Sequence, residues 1–284
     1  MKADLFTLGA IFLWASLASL ATLLSNIPPF LLTGIGLIIG ALVSIPSLRS
    51  GITAWKIPLK TLLIGVYGLF GYHFMLFLAL QTAPAVEANL VNYLWPLLIV
   101  LLSPLFTKSL SLNFRYVLAA FSGFAGAVLA ITSGGSGFGF SSIEVGYFFA
   151  LAAAVIWATY SLATTKVPRF PTPAIGLFAL VSGVLAIGAH FLFEPAASIS
   201  TADWLLLLVL GVGPLGGAFY LWDAALKIGD PRRIGLLAFL TPLLSTVLLL
   251  LLSDSPFSWQ LLISAALIIG GALFASSTKT KTSR

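Results

Sequence analysis

Tyr72-His73 and Asn92-Tyr93-x-Trp95 place five side chains with hydrogen-bonding edges inside two stretches that are otherwise apolar. Such a concentration of hydrogen-bonding aromatic and amide groups is unusual at depth in an apolar segment. It offers ring contacts, worth about 0.5–1.5 kcal/mol beyond burial, and hydrogen bonds to whatever it faces. Facing lipid, each polar edge would cost several kcal/mol, so the side chains must face protein or water. At about 100° per residue, Asn92 shares a helix face with Trp95, and also with Asn89. Asn89, Asn92 and Tyr93 are not expected to share one face together. His73 is either a hydrogen-bonded core histidine or a contact for substrate or proton.

Trp14 and Trp157 stand at about 14 Å and about 18 Å into their apolar segments, counted at 1.5 Å per residue from opposite faces. Tryptophan ordinarily collects at membrane interfaces, as Trp55, Trp204 and Trp259 do in this pattern. At mid-depth, Trp14 and Trp157 either pack helices together or wall a cavity. Pro96 and Pro242 each remove a backbone donor from the middle of an apolar segment, which suits flexing elements and close packing equally. Glu87 and Asp223 are the ionisable candidates for gating or coupling. Glu87 is placed near a segment end, and Asp223 lies four residues before Lys227, the spacing of an ordinary helical ion pair. His190 is placed near an interface.

Helices long enough to cross a bilayer must position these residues. The chain of 284 residues is 60% hydrophobic and 8% charged, with mean hydropathy +1.10. A soluble domain carries about a quarter charged residues. Ten apolar spans are expected, at roughly 4–24, 30–48, 58–81, 86–107, 115–133, 145–164, 172–193, 203–226, 232–253 and 257–276. All 14 Lys and Arg residues then fall at the termini and in the even-numbered connections. Basic residues stay in the cytoplasm during insertion, so both termini are expected there. The first span is expected to be a retained helix rather than a cleaved signal.

The chain also resembles itself. Gly65-Val66-x-x-Leu69-x-Gly71 returns as Gly211-Val212-x-x-Leu215-x-Gly217, and Leu94-x-Pro96-Leu97-Leu98 returns as Leu240-x-Pro242-Leu243-Leu244, both 146 residues later. Trp14-Ala15-Ser16 matches Trp157-Ala158-Thr159 at 143 residues. Two five-span halves are expected, 1–135 and 140–284, joined through Gly134-Gly135-Ser136-Gly137. Five is odd, so the halves cross in opposite directions. Such inverted repeats belong to transporters, with the substrate near the midplane between halves. The expected fold is therefore an all-α integral membrane protein with ten transmembrane helices in two inverted repeats around a central cavity.

Other classes of function lack support. The net charge of +6 is spread over the connections and does not form a nucleic-acid surface. Without cysteine there is no thiolate or disulfide chemistry. Gly211-x-Gly213-x-x-Gly216 matches a dinucleotide fingerprint as a string, but it lies in an apolar span with no strand before it. No nucleophile–base pair or metal-ligand spacing is present, so no enzyme, cofactor or metal is expected. Gly36-x-x-x-Gly40 is a close-packing motif of membrane helices.

Two five-span repeats of this length resemble the drug/metabolite transporter superfamily. Glu87-x-x-x-Val91-Asn92-Tyr93-Leu94-Trp95-Pro96 is similar to span 4 of the bacterial aromatic amino-acid exporters of that superfamily, and Trp157-Ala158-x-Tyr160 resembles the same branch. The resemblance implies a basket of spans 1–4 and 6–9 around a cavity, with spans 5 and 10 outside. It also implies export of aromatic amino acids, with Asn92, Tyr93, Trp95, Trp157 and Tyr160 at the substrate. Trp14, Tyr72 and His73 join that set by depth alone. The expected partners are this small molecule and the lipid bilayer, with a monomer sufficient. Other neutral amino acids, metabolites or cationic drugs are the alternative cargo, and a cationic cargo favours a buried carboxylate in the cavity. With few acidic groups in the membrane, facilitated flux is expected over proton coupling.

Overall fold

The computed structural model describes residues 1–48, 52–107, 110–133, 144–252 and 258–276, all helical or in connections. The Gly134–Gly137 junction, and with it Arg49, Lys108 and the C-terminal basic residues, lies outside the described residues. Ten apolar rods follow one another: α1 (Lys2–Leu23), α2 (Pro29–Leu42), α3 (Leu59–Thr82), α4 (Ala85–Phe106), α5 (Phe114–Thr132), α6 (Val145–Ala163), α7 (Thr172–Phe193), α8 (Thr201–Ile228), α9 (Pro231–Leu251) and α10 (Trp259–Ala275). Eight are long and apolar enough to cross a membrane. Among the described residues, α2 and α10 are apolar but shorter. α2 stops at Leu42 because Pro46 follows: proline lacks the N–H that a continuing helix needs and disfavours helical backbone just before it. A 3-10 turn, Ile45–Leu48, takes its place.

Among the described residues, five rods are interrupted, three of them by a break. α1 breaks at Ser16, whose hydroxyl bonds back to the Leu13 carbonyl at 2.7 Å, a contact that bends helices. α4 breaks at Tyr93 and α9 at Phe239. In both, a proline stands three residues on and leaves the carbonyl four residues before it without its helical donor. π-helical turns also interrupt α3 at Tyr67–Gly71 and α8 at Gly213–Gly217. The turns and the breaks both recur 146 residues apart, 67 to 213 and 93 to 239.

The packing pattern is reciprocal. α3 packs on α6 as α8 packs on α1, and α4 packs on α6 as α9 packs on α1. α2 meets α7, α4 meets α9, and α5 meets α10. The α5–α10 pair stands outside, holding a separate apolar core against α4 and α9. Close approach between α2 and α8 depends on glycine. A Cβ on Gly40 would fall 2.6 Å from the Leu215 carbonyl oxygen and 2.8 Å from Gly216 Cα.

The two ends of the bundle differ in charge. At one end Arg233 pairs with Asp4, Arg232 with Asp230 and the Ser111 carbonyl, and Lys227 with Asp223. At the other end Asn26 donates to Asp203, and Glu194 accepts from the backbone N–H groups of Phe30 and Leu31 at the start of α2. His190, expected at an interface, is buried and 2.9 Å from Glu194. Trp204 and Trp259 are exposed, as interfacial residues are.

Gly40→Val is expected to destabilise the protein by at least the roughly 1–3 kcal/mol of an overpacked core, because backbone atoms of α8 cannot yield as a side chain would. Gly270→Ala, with nothing within 4 Å of its would-be Cβ, is expected to be neutral. Thermal unfolding of the two variants in detergent separates these outcomes.

Candidate functional site: a tryptophan-floored cavity at mid-bundle

Four tryptophans from four helices meet at the centre. Trp14 of α1 lies 6.3 Å from Trp95 of α4, 5.7 Å from Trp157 of α6 and 5.1 Å from Trp222 of α8, measured between ring centroids. The remaining pairs are 5.6–6.4 Å apart, and most meet edge to face. That geometry sets the positive ring edge against the negative ring face. The Trp222 indole N–H donates to Ser161 at 3.0 Å, so this polar edge is satisfied at full burial. Phe219, one turn before Trp222, packs on Trp14 and Trp157.

Above this floor is a cavity of about 370 Å³, within the roughly 300–1,000 Å³ usual for small-molecule sites. Its walls come from α1, α2, α3, α4, α6, α8 and α9, while α7 contributes no lining residue and instead braces α2. Trp14, Tyr72, His73, Asn92, Tyr93, Trp95 and Trp157 all border it. For Trp14 and Trp157 the two expectations coincide, since each packs helices and walls the cavity. Asn89, Asn92 and Tyr93 were expected to diverge, yet all three line it. Their directions fall within an arc of about 100° at helical spacing, which one broad wall accommodates.

The polar groups have defined roles. His73 Nδ1 is 2.6 Å from the Leu69 carbonyl oxygen. A carbonyl only accepts, so Nδ1 carries a proton, and in the neutral ring Nε2 then presents a lone pair. Asn92 joins its amide to the Tyr72 hydroxyl at 3.2 Å, and the other end of the amide is buried without a partner. Among the described residues, no Asp, Glu, Lys or Arg lines the cavity.

Other expected site residues lie elsewhere. Tyr160 stands behind Trp157, 5.3 Å away, with its ring against Gly68 in the π turn of α3; a Cβ there would be 2.2 Å from the ring. It supports the wall rather than lining it. Pro96 and Pro242 also stay off the cavity, one turn beyond the breaks they induce. Glu87 is buried in the first turn of α4, where the helix dipole favours a carboxylate. Asp223 is in the expected i, i+4 pair with Lys227, below the tryptophan floor. The Lys227 ammonium also donates to Thr172 at 3.1 Å and sits 4.0 Å above the Phe170 ring, tying α8 to the start of α7. Trp222 and Phe219 were missed by sequence reasoning. Trp222 lies next to Asp223 near the charged end of α8, so by position it looks like an ordinary interfacial residue. Among the described residues, no three His, Asp or Glu side chains gather as a metal would require.

The lining residues of α1, α3 and α4 lie in the half of the bundle that carries the 24–29 and 82–85 turns. Toward the basic end, the cavity is closed by the tryptophan floor and by the Lys227 contacts beneath it. A neutral, ring-lined chamber in an apolar helical bundle, closed at one end, is the architecture of a membrane transporter of small molecules. The EamA-like transporter family model matches the chain twice, over residues 1–132 and 144–277. The protein belongs to this family, within the drug/metabolite transporter superfamily. It is 42% identical over 279 residues to the aromatic amino acid exporter YddG of Ancylobacter novellus, covering 97% of each chain. The exporter of the same name from Escherichia coli (strain K12) is 28% identical, covering 96% of each. A solved crystal structure superposes with a TM-score of 0.89 at 40% identity, over 97% of this chain and 98% of that one.

Lys227→Met leaves the Asp223 carboxylate, 3% exposed, without its cation. Removing one partner of a buried pair is strongly destabilising, whereas replacing both is often near neutral. Thermal melts are therefore expected to show a loss of about 2 kcal/mol or more in the single variant, most of it recovered in Asp223→Asn/Lys227→Met.

Proposed function

We propose that this protein exports aromatic amino acids across the bacterial inner membrane by alternating access. The observation that carries the proposal is the uncharged cavity, which pairs the indoles of Trp14, Trp95 and Trp157 with the acceptor edges of Asn92 and His73. An aromatic amino acid has the matching shape: a flat ring, and a zwitterionic head of zero net charge. The ring stacks on the indoles, while Asn92, His73, Tyr72 and Tyr93 meet the head. The curated relatives carry the same activity in their names. A cationic drug is a poorer fit, because the walls offer no carboxylate.

The basic end of the bundle is the cytoplasmic one, with both termini there. The cavity then faces outward, and Trp222, Asp223 and Lys227 belong to the closed inner gate. The halves 1–135 and 140–284 act as an inverted repeat. Three features support this: the double family match, the irregularities repeated at 146 residues, and the reciprocal packing of α3 on α6 and α8 on α1. Exchange of conformation between halves converts the outward-facing form to the inward-facing one. The breaks at Tyr93 and Phe239 are the flexing points, with Pro96 and Pro242 setting them. The protein works as a monomer without cofactor or catalytic step. With no carboxylate at the cavity, flux runs down the substrate gradient.

Purified protein in liposomes is expected to move phenylalanine, tyrosine and tryptophan, and Trp95→Ala or Trp157→Ala is expected to reduce that flux at least tenfold. Loss of ring contact and burial together exceeds the roughly 1.4 kcal/mol that a factor of ten requires. Absence of flux for all three amino acids would refute the assignment. An imposed pH gradient is expected to leave the final distribution of substrate unchanged; concentrative accumulation would overturn the facilitated mechanism.

A further inference from the structure

Thr241 carries a buried hydroxyl with no hydrogen-bond partner, on the wall of the central cavity. Such orphaned groups are uncommon in folded proteins and call for a reason. The helical hydroxyls of Ser19, Thr61 and Ser182 also lack a partner, but none of them borders the cavity. Several other helical hydroxyls bond back to their own backbone: Thr7 to Ala3, Thr22 to Ala18, Thr82 to Leu78 and Thr159 to Val155, at 2.5–2.9 Å. Thr241 does not. The break at Phe239 falls between it and Leu237, whose carbonyl would be its acceptor four residues back. Along the same face one turn later, Ser245 also borders the cavity. Thr241 stands 146 residues after Trp95, so where one half presents an indole, the other presents a hydroxyl.

We propose that Thr241 binds the α-carboxylate of the substrate, so that the zwitterion bridges the two halves of the protein. The inference rests on the proposed export of aromatic amino acids and adds to it the polarity of the bound head. His73 Nε2 offers only a lone pair, since Nδ1 is held by Leu69, and so it suits the ammonium together with Asn92. These groups come from α3 and α4. The carboxylate needs a donor, and with no Lys or Arg among the lining residues a neutral group must supply it. Thr241 of α9, which packs on α1 rather than on α3, is the wall hydroxyl left buried without a partner. A weak neutral donor suits a transporter, which must release its cargo, better than a guanidinium clamp. Because the contact joins α4 and α9 at their breaks, the substrate's head couples the two flexing points.

The test compares three probes in competition with labelled phenylalanine, on the wild type, Thr241→Val and Thr241→Ser: phenylalanine itself, phenethylamine, which lacks the carboxylate, and 3-phenylpropanoate, which lacks the ammonium. Thr241→Val is expected to weaken phenylalanine and 3-phenylpropanoate by about ten- to a hundredfold, the range for a lost hydrogen bond to a charged group. It should leave phenethylamine within twofold, and Thr241→Ser should restore the wild-type pattern. A detergent melt confirms that the variants are folded. Equal weakening of all three probes, or no weakening of any, overturns the carboxylate subsite while leaving the export assignment intact. If the wild type binds no phenylalanine, the export assignment fails and the subsite fails with it.

Discussion

Hydrocarbon offers a backbone no hydrogen-bonding partner, and this single constraint shapes the protein. It forces the chain into helices, since only there does each apolar segment satisfy its own N–H and C=O groups. It also restricts where helices can be interrupted. Irregular backbone in the bilayer is tolerated beside protein or a cavity, not beside lipid. The breaks at Tyr93 and Phe239 fit that restriction, because residues flanking both border one chamber. The same prolines that cost a helical bond therefore place Asn92, Tyr93, Trp95 and Thr241 around a common space.

The chamber divides its chemistry by depth. Its floor is a cluster of indoles, fully packed and closed from below by the Trp222–Ser161 bond and the Lys227 contacts. Its walls hold neutral dipoles and no charge. An ion in such a site would need a counter-ion to offset desolvation, whereas a zwitterion brings both signs with it. Glycine sets the walls' distance: Gly68 admits the Tyr160 ring behind Trp157, and Gly40 lets α2 lie against the backbone of α8. Tyr160 thus shapes the cavity without touching it, which explains why a motif match at that position is compatible with an indirect role.

Much of this was legible from residue order because membrane helices obey simple rules. Apolar length marked the rods, though Pro46 shortened the second beyond what hydropathy conveys. The polar residues at depth, from Tyr72 to Trp95 and at Trp14 and Trp157, stood out because lipid forbids them. Each lines the cavity for that reason. Residues whose types are ordinary for their position gave no such signal. Trp222 beside Asp223 reads as interfacial, Phe219 as one phenylalanine among 22, and Thr241 as a helical threonine bonded to its own backbone.

Sequence alone determined the helical class, the repeat spacing and the polar set at mid-depth, because burial in lipid acts residue by residue on composition and period. Tertiary structure alone decided which helices meet, and with them the four-indole floor, the exclusion of Tyr160 and Asp223 from the cavity, and the free hydroxyl of Thr241. Those features depend on the rotation of each helix about its axis and on the bend at each break. Both are set by contacts between segments more than 200 residues apart, such as Trp14 with Trp222, and no local pattern encodes them.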